Sequence, residues 1–115
     1  VERGEEIIYC AGALAANYEK FRGSVVYAGK PHAPIYDRTL REIARVKGRD
    51  VPREKIICIG DGLETDLLGA YKAGFRSVFI ASPIFVPEGL NDSVLAKLFA
   101  PRPFAPVAAM SALTW

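Results

Sequence analysis

The stretch Ile56-Ile57-Cys58-Ile59-Gly60-Asp61-Gly62-Leu63-Glu64-Thr65-Asp66 decides the fold of this chain. It runs from an apolar segment through a glycine turn into a region with the apolar spacing of a helix. Apolar residues over 55–59 do not alternate with polar ones, which predicts a strand covered on both faces, as in a parallel sheet. In such a sheet, ligands bind where the strands end and the helices begin. The two aspartates therefore stand where a functional site is expected.

Asp61 and Asp66 are the first candidates for chemistry. Ionised side chains are costly to bury unless they are paired or bound to a cation. Carboxylate oxygens suit Mg²⁺, which takes one or two of them and keeps several waters. We therefore predict a magnesium-dependent phosphate site with Asp61 and Asp66 as the metal ligands. The alternative is a turn aspartate followed by an aspartate that interacts with the helix dipole.

The pattern on either side of this stretch alternates between strands and helices. Residues 101–107 are expected to be irregular, because this segment contains Pro101, Pro103 and Pro106. Alternating strands and helices predict an α/β fold with a parallel sheet, flanking helices and right-handed crossovers. Strands are predicted over 6–9, 25–27, 55–59 and 77–81, and helices over 11–21, 34–47, 63–73 and from Asn91 or Asp92 to 99.

Composition limits the classes of function. The 115 residues allow one domain with a small core, and 50% hydrophobic and 24% charged residues are typical of a globular protein. The net charge of +2 comes from interspersed acids and bases without a basic stripe, so nucleic acid is not an expected partner. The longest apolar runs are far too short to span a membrane, so a membrane is not expected either. Cys10 and Cys58 have no CxxC spacing, which predicts free buried thiols in a reducing, cytoplasmic setting.

Lys30 is a candidate for phosphate binding. It follows a predicted strand and Gly29, and it precedes Pro31. A lysine on such a turn can reach a phosphate as a point charge, although most lysines are solvated on the surface. His32 is the one histidine, and a lone histidine provides neither a metal cluster nor a triad. We expect it to cap a helix or to support its neighbours.

Four small or hydroxylic residues are further candidates for phosphate contacts. Gly12 and Ala13 lie in a strand-to-helix turn whose free N–H groups could bind an anion, or whose small side chains could allow tight packing. Gly62 and Thr65 lie in the acidic stretch, where Thr65 could instead donate its hydroxyl to the turn. A dinucleotide fingerprint would need a third glycine at position 65, so that motif fails.

Three motifs follow one another along the chain: Gly29-Lys30-Pro31, the stretch from Gly60 to Asp66, and Gly69-Ala70-Tyr71-Lys72-Ala73-Gly74. In this order they resemble the haloacid dehalogenase-like (HAD) superfamily of phosphohydrolases. Within it they resemble the class IIA branch, which includes p-nitrophenylphosphatase-like and nucleotide-phosphate phosphatases. The resemblance covers nearly the whole chain.

The resemblance implies a role for each matching residue and a substrate class. Lys30 would neutralise charge between the nucleophile and the phosphoryl group. Asp61 would bind Mg²⁺, and Asp66 would support the metal and its waters. The substrate would be a small phosphorylated metabolite, hydrolysed through an aspartyl-phosphate.

One part of the family pattern is missing. The family's nucleophile is an aspartate in a D-x-D motif on the first strand, and no D-x-D precedes Lys30. The resemblance therefore implies that residues 1–115 are the C-terminal part of a HAD-like core, with 1–12 as the exit from the cap domain. This partial Rossmann-like core would lack the central first strand and the cap domain, and it would be inactive alone. The acids that precede Lys30 are Glu2, Glu5, Glu6 and Glu19.

Without the family's first strand, the strand over 55–59 would have an open apolar edge. Such edges pair with other chains or aggregate. We expect the upstream half of the same protein, or an oligomer partner, to cover this edge.

Two other functional classes compete with the enzyme. One is a non-catalytic module, left from a HAD-like enzyme, that binds phosphate or metal or interacts with a partner. The other is a receiver-like or nucleotide-binding α/β domain. The failed glycine fingerprint and the position of Lys30 before Asp61 argue against the receiver-like or nucleotide-binding domain.

Overall fold

The computed structural model describes residues 2–3 and 6–113, and it has an α/β architecture. None of the described helices is long and apolar enough to cross a membrane. In chain order the elements are β1 (Glu2–Arg3), β2 (Glu6–Ile7), α1 (Ala11–Lys20), α2 (Ala33–Lys47), a 3₁₀ turn (Arg53–Lys55), β3 (Ile57–Gly60), a π-helical turn (Leu63–Leu67), α3 (Leu68–Lys72), β4 (Arg76–Ile80), α4 (Asp92–Phe99) and β5 (Ala108–Met110).

The main sheet has three parallel strands in the order β3-β4-β5. Ile57 pairs with Arg76 at one end of the β3–β4 ladder, and Gly60 pairs with Phe79 at the other. This arrangement confirms the predicted parallel sheet with flanking helices. The carboxyl end of β3 carries Asp61, as the pattern indicated. β1 and β2 form a separate antiparallel pair.

The β3 strand is less covered than its sequence predicts. β3 lies at one edge of the described sheet, because its one partner there is β4. Ile57 is 45% exposed and Ile59 is 44% exposed, so the expectation of cover on both faces is wrong within the described chain. A continuous apolar run is typical of a strand in the interior of a parallel sheet. Among the described residues, β3 has a neighbouring strand on one side only.

Two strand predictions differ from the structure. Residues 25–27 belong to no strand, and the Val26 side chain is 83% exposed. Their β-branched and aromatic side chains favour a strand only when a partner strand is present. The predicted strand over 6–9 has only two residues in β2. In contrast, β5 forms beyond the last proline by pairing Val78 of β4 with Ala108.

The helices have recognisable ends. Proline in the first turn of α2 needs no hydrogen bond there, and Gly48 ends the helix with a φ of 68°, in the left-handed region. At the start of α4, the Asn91 side chain accepts a hydrogen bond from the Val94 N–H at 3.0 Å, so Asn91 is the cap. The helix predicted over 63–73 is a π-helical turn followed by the short α3.

The core lies between the sheet and α4. Phe79 of β4 is fully buried, and Leu63 and Leu67 from the π-helical turn are 3% and 1% exposed. Phe99 of α4 meets the Phe79 ring edge to face, with 5.6 Å between ring centroids. Because the turn after Asp61 places two leucines in this core, the position of the acidic residues is fixed by packing.

Candidate active site

The lysine turn is held by contacts on both of its sides. The His32 N–H donates to the Gly29 carbonyl at 3.0 Å, which closes the turn around Lys30. The Tyr27 ring stacks on His32, with 4.7 Å between centroids. The Tyr27 hydroxyl donates to the Glu19 carboxylate at 3.0 Å, which links the turn to α1. His32 precedes α2 but makes no capping bond with its side chain, so its observed contact is the ring stack.

Asp66 joins the lysine turn to the end of β3. Lys30 Nζ forms an ion pair with Asp66 Oδ1 across 36 residues of sequence. The Gly62 N–H donates to the other oxygen, Oδ2, at 3.0 Å. The Asp66 side chain is only 14% exposed, whereas that of Lys30 is 52% exposed. Both carboxylate oxygens of Asp66 therefore have protein partners.

The glycines of the stretch make room for this carboxylate. A Cβ at Gly60 would lie 2.4 Å from the Asp66 Cβ, and a Cβ at Gly62 would lie 2.1 Å from Thr65 Oγ1. Real carbon atoms do not approach so closely, so side chains are excluded at both positions. Thr65 and Gly62 thus pack against each other, and their contact with phosphate stays a prediction.

Asp61 has a different environment from Asp66. It follows β3 directly, it is partly exposed, and its side chain has no hydrogen bond or ion pair with a described residue. No group of three or more His, Cys, Asp or Glu residues among those described could hold a metal ion. Within the described turn after β3, the carboxylate of Asp61 is thus free and that of Asp66 is already engaged. This set fits Mg²⁺, which needs as few as one protein carboxylate.

A groove beside β3 contains Cys58, which the sequence predicts as a buried thiol, and Tyr36, which no sequence motif singles out. Lys30, Asp66, Tyr36 and Cys58 line it together with apolar side chains. Burial raises the pKa of the Cys58 thiol, and the Asp66 charge adds to the rise. Burial also raises the pKa of Tyr36, whose buried hydroxyl has no partner among the described residues. Cys58 could have been found from the two-residue period of a strand, because it shares a face with Gly60.

The Gly12–Ala13 turn has its own local role. Cys10 precedes α1 and is exposed, contrary to the prediction that it is buried. The N–H groups of Ala13 and Gly12 lower the pKa of the Cys10 thiol, although no side chain caps this helix by a hydrogen bond of ordinary geometry. Within the described chain, no hydrogen bond or ion pair links Gly12 or Ala13 to Lys30, Asp61 or Asp66. Their contact with phosphate is therefore still a prediction.

Comparisons with known proteins identify relatives of this chain. A family model described as HAD-hydrolase-like matches residues 27–108. The ribonucleotide monophosphatase NagD of Escherichia coli K12 is 31% identical over 74 residues, which are 64% of this chain and 27% of NagD. This likeness agrees with the class IIA branch that the motifs indicated.

Solved structures give the same result. A haloacid dehalogenase-like hydrolase from Brucella suis 1330 is 35% identical, with a TM-score of 0.67 over 99% of this chain and 41% of that one. A p-nitrophenyl phosphatase from Archaeoglobus fulgidus shares the fold, with a TM-score of 0.56 at 19% identity over 88% of this chain and 35% of that one. The chain thus spans about a quarter of its curated relative and two fifths of the Brucella hydrolase. Because the family match takes in most of the chain and includes Lys30, Asp61 and Asp66, this chain belongs to the HAD-hydrolase-like family.

Proposed function

We propose that this chain is the C-terminal half of a Mg²⁺-dependent phosphatase that hydrolyses a small phosphate monoester through an aspartyl-phosphate. The observation that carries the proposal is the ion pair of Lys30 with Asp66, held beside the free carboxylate of Asp61 at the carboxyl end of β3. This is the edge of a parallel sheet at which ligands bind. The match to the hydrolase family and to a phosphatase relative supports the proposed reaction class.

Lys30 would supply positive charge to the transferring group. Its side chain is half exposed, so it can contact a phosphoryl oxygen while Asp66 holds it in place. Fixed charges aimed at developing negative charge are usually the largest contribution to catalysis at such sites. Asp66 is therefore proposed to position the lysine and, through water, to support the metal.

Asp61 would hold the magnesium ion. Its carboxylate faces no competing donor in the described structure, and Mg²⁺ retains several waters when few protein ligands are present. When bound, the metal would neutralise negative charge on the phosphoryl oxygens. Gly62 keeps the turn between the two aspartates closed by donating to Asp66.

The nucleophile is proposed to lie outside residues 1–115, so that the isolated chain is inactive. The acids before Lys30 are all glutamates, and the chain spans only part of its relatives. Residues 1–12 are proposed as the exit from a cap domain. The half-exposed Ile57 and Ile59 at the edge of β3 support the proposal that the upstream half of the same protein, or an oligomer partner, covers this edge. A cytoplasmic location is part of the same proposal.

A non-catalytic binding or interaction module is the second candidate function. The observation that favours it is the lack of a D-x-D motif before Lys30. Such a module would retain the lysine, the two aspartates and the open edge of β3, and it would bind phosphate or a cation without turnover.

Hydrolysis of p-nitrophenyl phosphate with and without Mg²⁺ tests the proposal. It should be measured for this chain alone and for the chain expressed with the sequence encoded upstream of residue 1. Activity only in the extended protein with Mg²⁺ supports the proposal, and activity of the short chain would contradict the placement of the nucleophile.

In the active form, Asp61→Ala should lower the rate by about 10²-fold or more, whereas Asp50→Ala, at an exposed acid, should not. Cation binding without activity in either form would favour the module.

A further inference from the structure

The turn of residues 61–66, called the acidic turn below, is contacted by an arginine from the end of the described chain. Arg102 Nη2 donates to Glu64 Oε1 at 2.8 Å, and Nε donates to the same oxygen at 3.3 Å. Glu64 lies between Asp61 and Asp66, and 38 residues separate it from Arg102. The contact therefore links the loop after α4 to the residues of the proposed cation site.

The geometry of Arg102 differs from that of an ordinary surface ion pair. Its side chain is only 23% exposed, and its third donor, Nη1, is bound to the Leu98 carbonyl in the last turn of α4. Its backbone N–H donates to the Phe99 carbonyl at 3.0 Å. The Leu98 carbonyl thus holds the guanidinium in place, which reduces the entropy that Arg102 loses when it binds Glu64. Most exposed pairs are weak because both side chains must be ordered for one contact.

Apart from Arg102, the Asp66 carboxylate of the acidic turn is held by Lys30 and the Gly62 N–H, and the apolar side of the turn is packed. Leu63 and Leu67 place that side in the core. Glu64 is 68% exposed and points away from this packing. Arg102 therefore restrains the polar side of the turn, where no leucine contact can act.

We infer that Arg102 is a positioning residue that fixes Asp61 and Asp66 through Glu64 and so sets the cation affinity of the acidic turn. The identity of the cation in this inference rests on the proposed function. The restraint of the turn by Arg102 is independent of the proposed function. Arg102 touches neither aspartate, and its effect passes through the backbone of the turn.

Amide hydrogen exchange tests the restraint without any metal. The Asp66 and Leu67 N–H groups donate to the Gly62 carbonyl at 2.8 and 3.1 Å, so they report opening of the turn. Arg102→Gln and Glu64→Gln should each speed their exchange by about threefold to tenfold, and the double variant should be no faster than the single ones. Arg38→Gln breaks an exposed ion pair with Glu42 on α2, away from the acidic turn, and should leave both amides unchanged.

A purely structural role for Arg102 would give a different pattern. Arg102→Gln would then speed exchange in the last turn of α4, while Glu64→Gln would have no effect on Asp66 or Leu67, and this result would overturn the inference. Because Glu64 is largely exposed, Glu64→Gln leaves the fold intact, and the test does not depend on one variant.

Titration with Mg²⁺, followed through the backbone amide signal at position 61, separates the inference from the proposed function. Arg102→Gln and Glu64→Gln should weaken the response by about threefold or more, and Asp61→Ala should abolish it. If Asp61→Ala removes the response and the other two variants leave it unchanged, Arg102 does not set the affinity. If Asp61→Ala leaves it unchanged, the proposed cation role of Asp61 fails, and the exchange data alone decide the restraint.

Discussion

Asp61 and Asp66 lie in one turn, but their carboxylates have different partners. Asp66 accepts hydrogen bonds from Lys30 and Gly62 and is mostly buried, whereas Asp61 has no described partner. Asp66→Asn should therefore lower the free energy of unfolding by about 1 to 2 kcal/mol, because an amide cannot replace both charge-assisted bonds. Asp61→Asn should change it by less than about 0.5 kcal/mol. Urea unfolding of both variants measures the difference, and equal losses would contradict this division of roles.

The close approach of Asp66 to the glycines gives a second prediction at the residue scale. Gly60→Ala places a methyl group 2.4 Å from the Asp66 Cβ, so the turn must move. The cost should be about 1 to 3 kcal/mol in the free energy of unfolding. Gly29→Ala is the matched control, because nothing lies within 4 Å of a Cβ at that position. If the two variants had the same urea midpoint, the observed packing over Gly60 would be wrong.

The two thiols should differ in reactivity with pH. Backbone N–H groups at the start of α1 lower the pKa of Cys10, whereas burial and the Asp66 charge raise the pKa of Cys58. The thiolate is the reactive form, so near pH 8 iodoacetamide should modify Cys10 about tenfold faster than Cys58. The Cys58 rate should keep rising at a pH where the Cys10 rate is already constant. Peptide mass spectrometry follows the modification of both cysteines. As a control, the two cysteines should react at equal rates in the urea-unfolded chain. Faster modification of Cys58 than of Cys10 in the folded chain would refute the prediction.

At the scale of elements, the sequence predicts the helices and strands that are determined by the local pattern of residues. The predicted bounds of α2 agree within one residue, because a first-turn proline and Gly48 mark its ends. β4 is predicted from a run of β-branched and aromatic residues. β5 is not, because its three residues, Ala108–Met110, have little strand preference and pair only when β4 is already in place. Residues 25–27 show the opposite case, in which strand preference without a partner gives no strand.

In the site, too, the sequence predicts the positions of residues within one segment but not the contacts between residues that are far apart in the chain. The position of Asp61 after β3 is local information, and the pattern predicts it. The ion pair of Lys30 with Asp66 joins residues 36 apart, and only the folded chain shows which aspartate the lysine contacts. The contact of Arg102 with Glu64 has no motif at all, because the arginine belongs to an irregular loop. Sequence reasoning therefore finds the candidate residues, and the structure assigns their partners.

The whole molecule is less compact than a complete domain of its length. Its Cα radius of gyration is 16.5 Å, whereas about 13 Å is expected for a compact domain of this size. α1 buries none of its residues, and Leu14 and Tyr18 on it are 64% and 57% exposed. With the half-exposed Ile57 and Ile59, these values describe an α/β core whose apolar surface is only partly covered by the described residues.

The open edge of β3 should make the isolated chain associate with itself. Unpaired backbone groups beside exposed isoleucines are a template for another strand, and a lysine on such an edge opposes pairing. In sedimentation velocity over a range of concentrations, we expect the unmodified chain to form oligomers or aggregates and Ile59→Lys to shift it towards monomer. Val26→Lys adds the same charge at an 83% exposed position outside the sheet and should not shift it. A monomeric unmodified chain with a cooperative melting transition would show that the edge needs no partner, because the described core would then be stable with β3 uncovered.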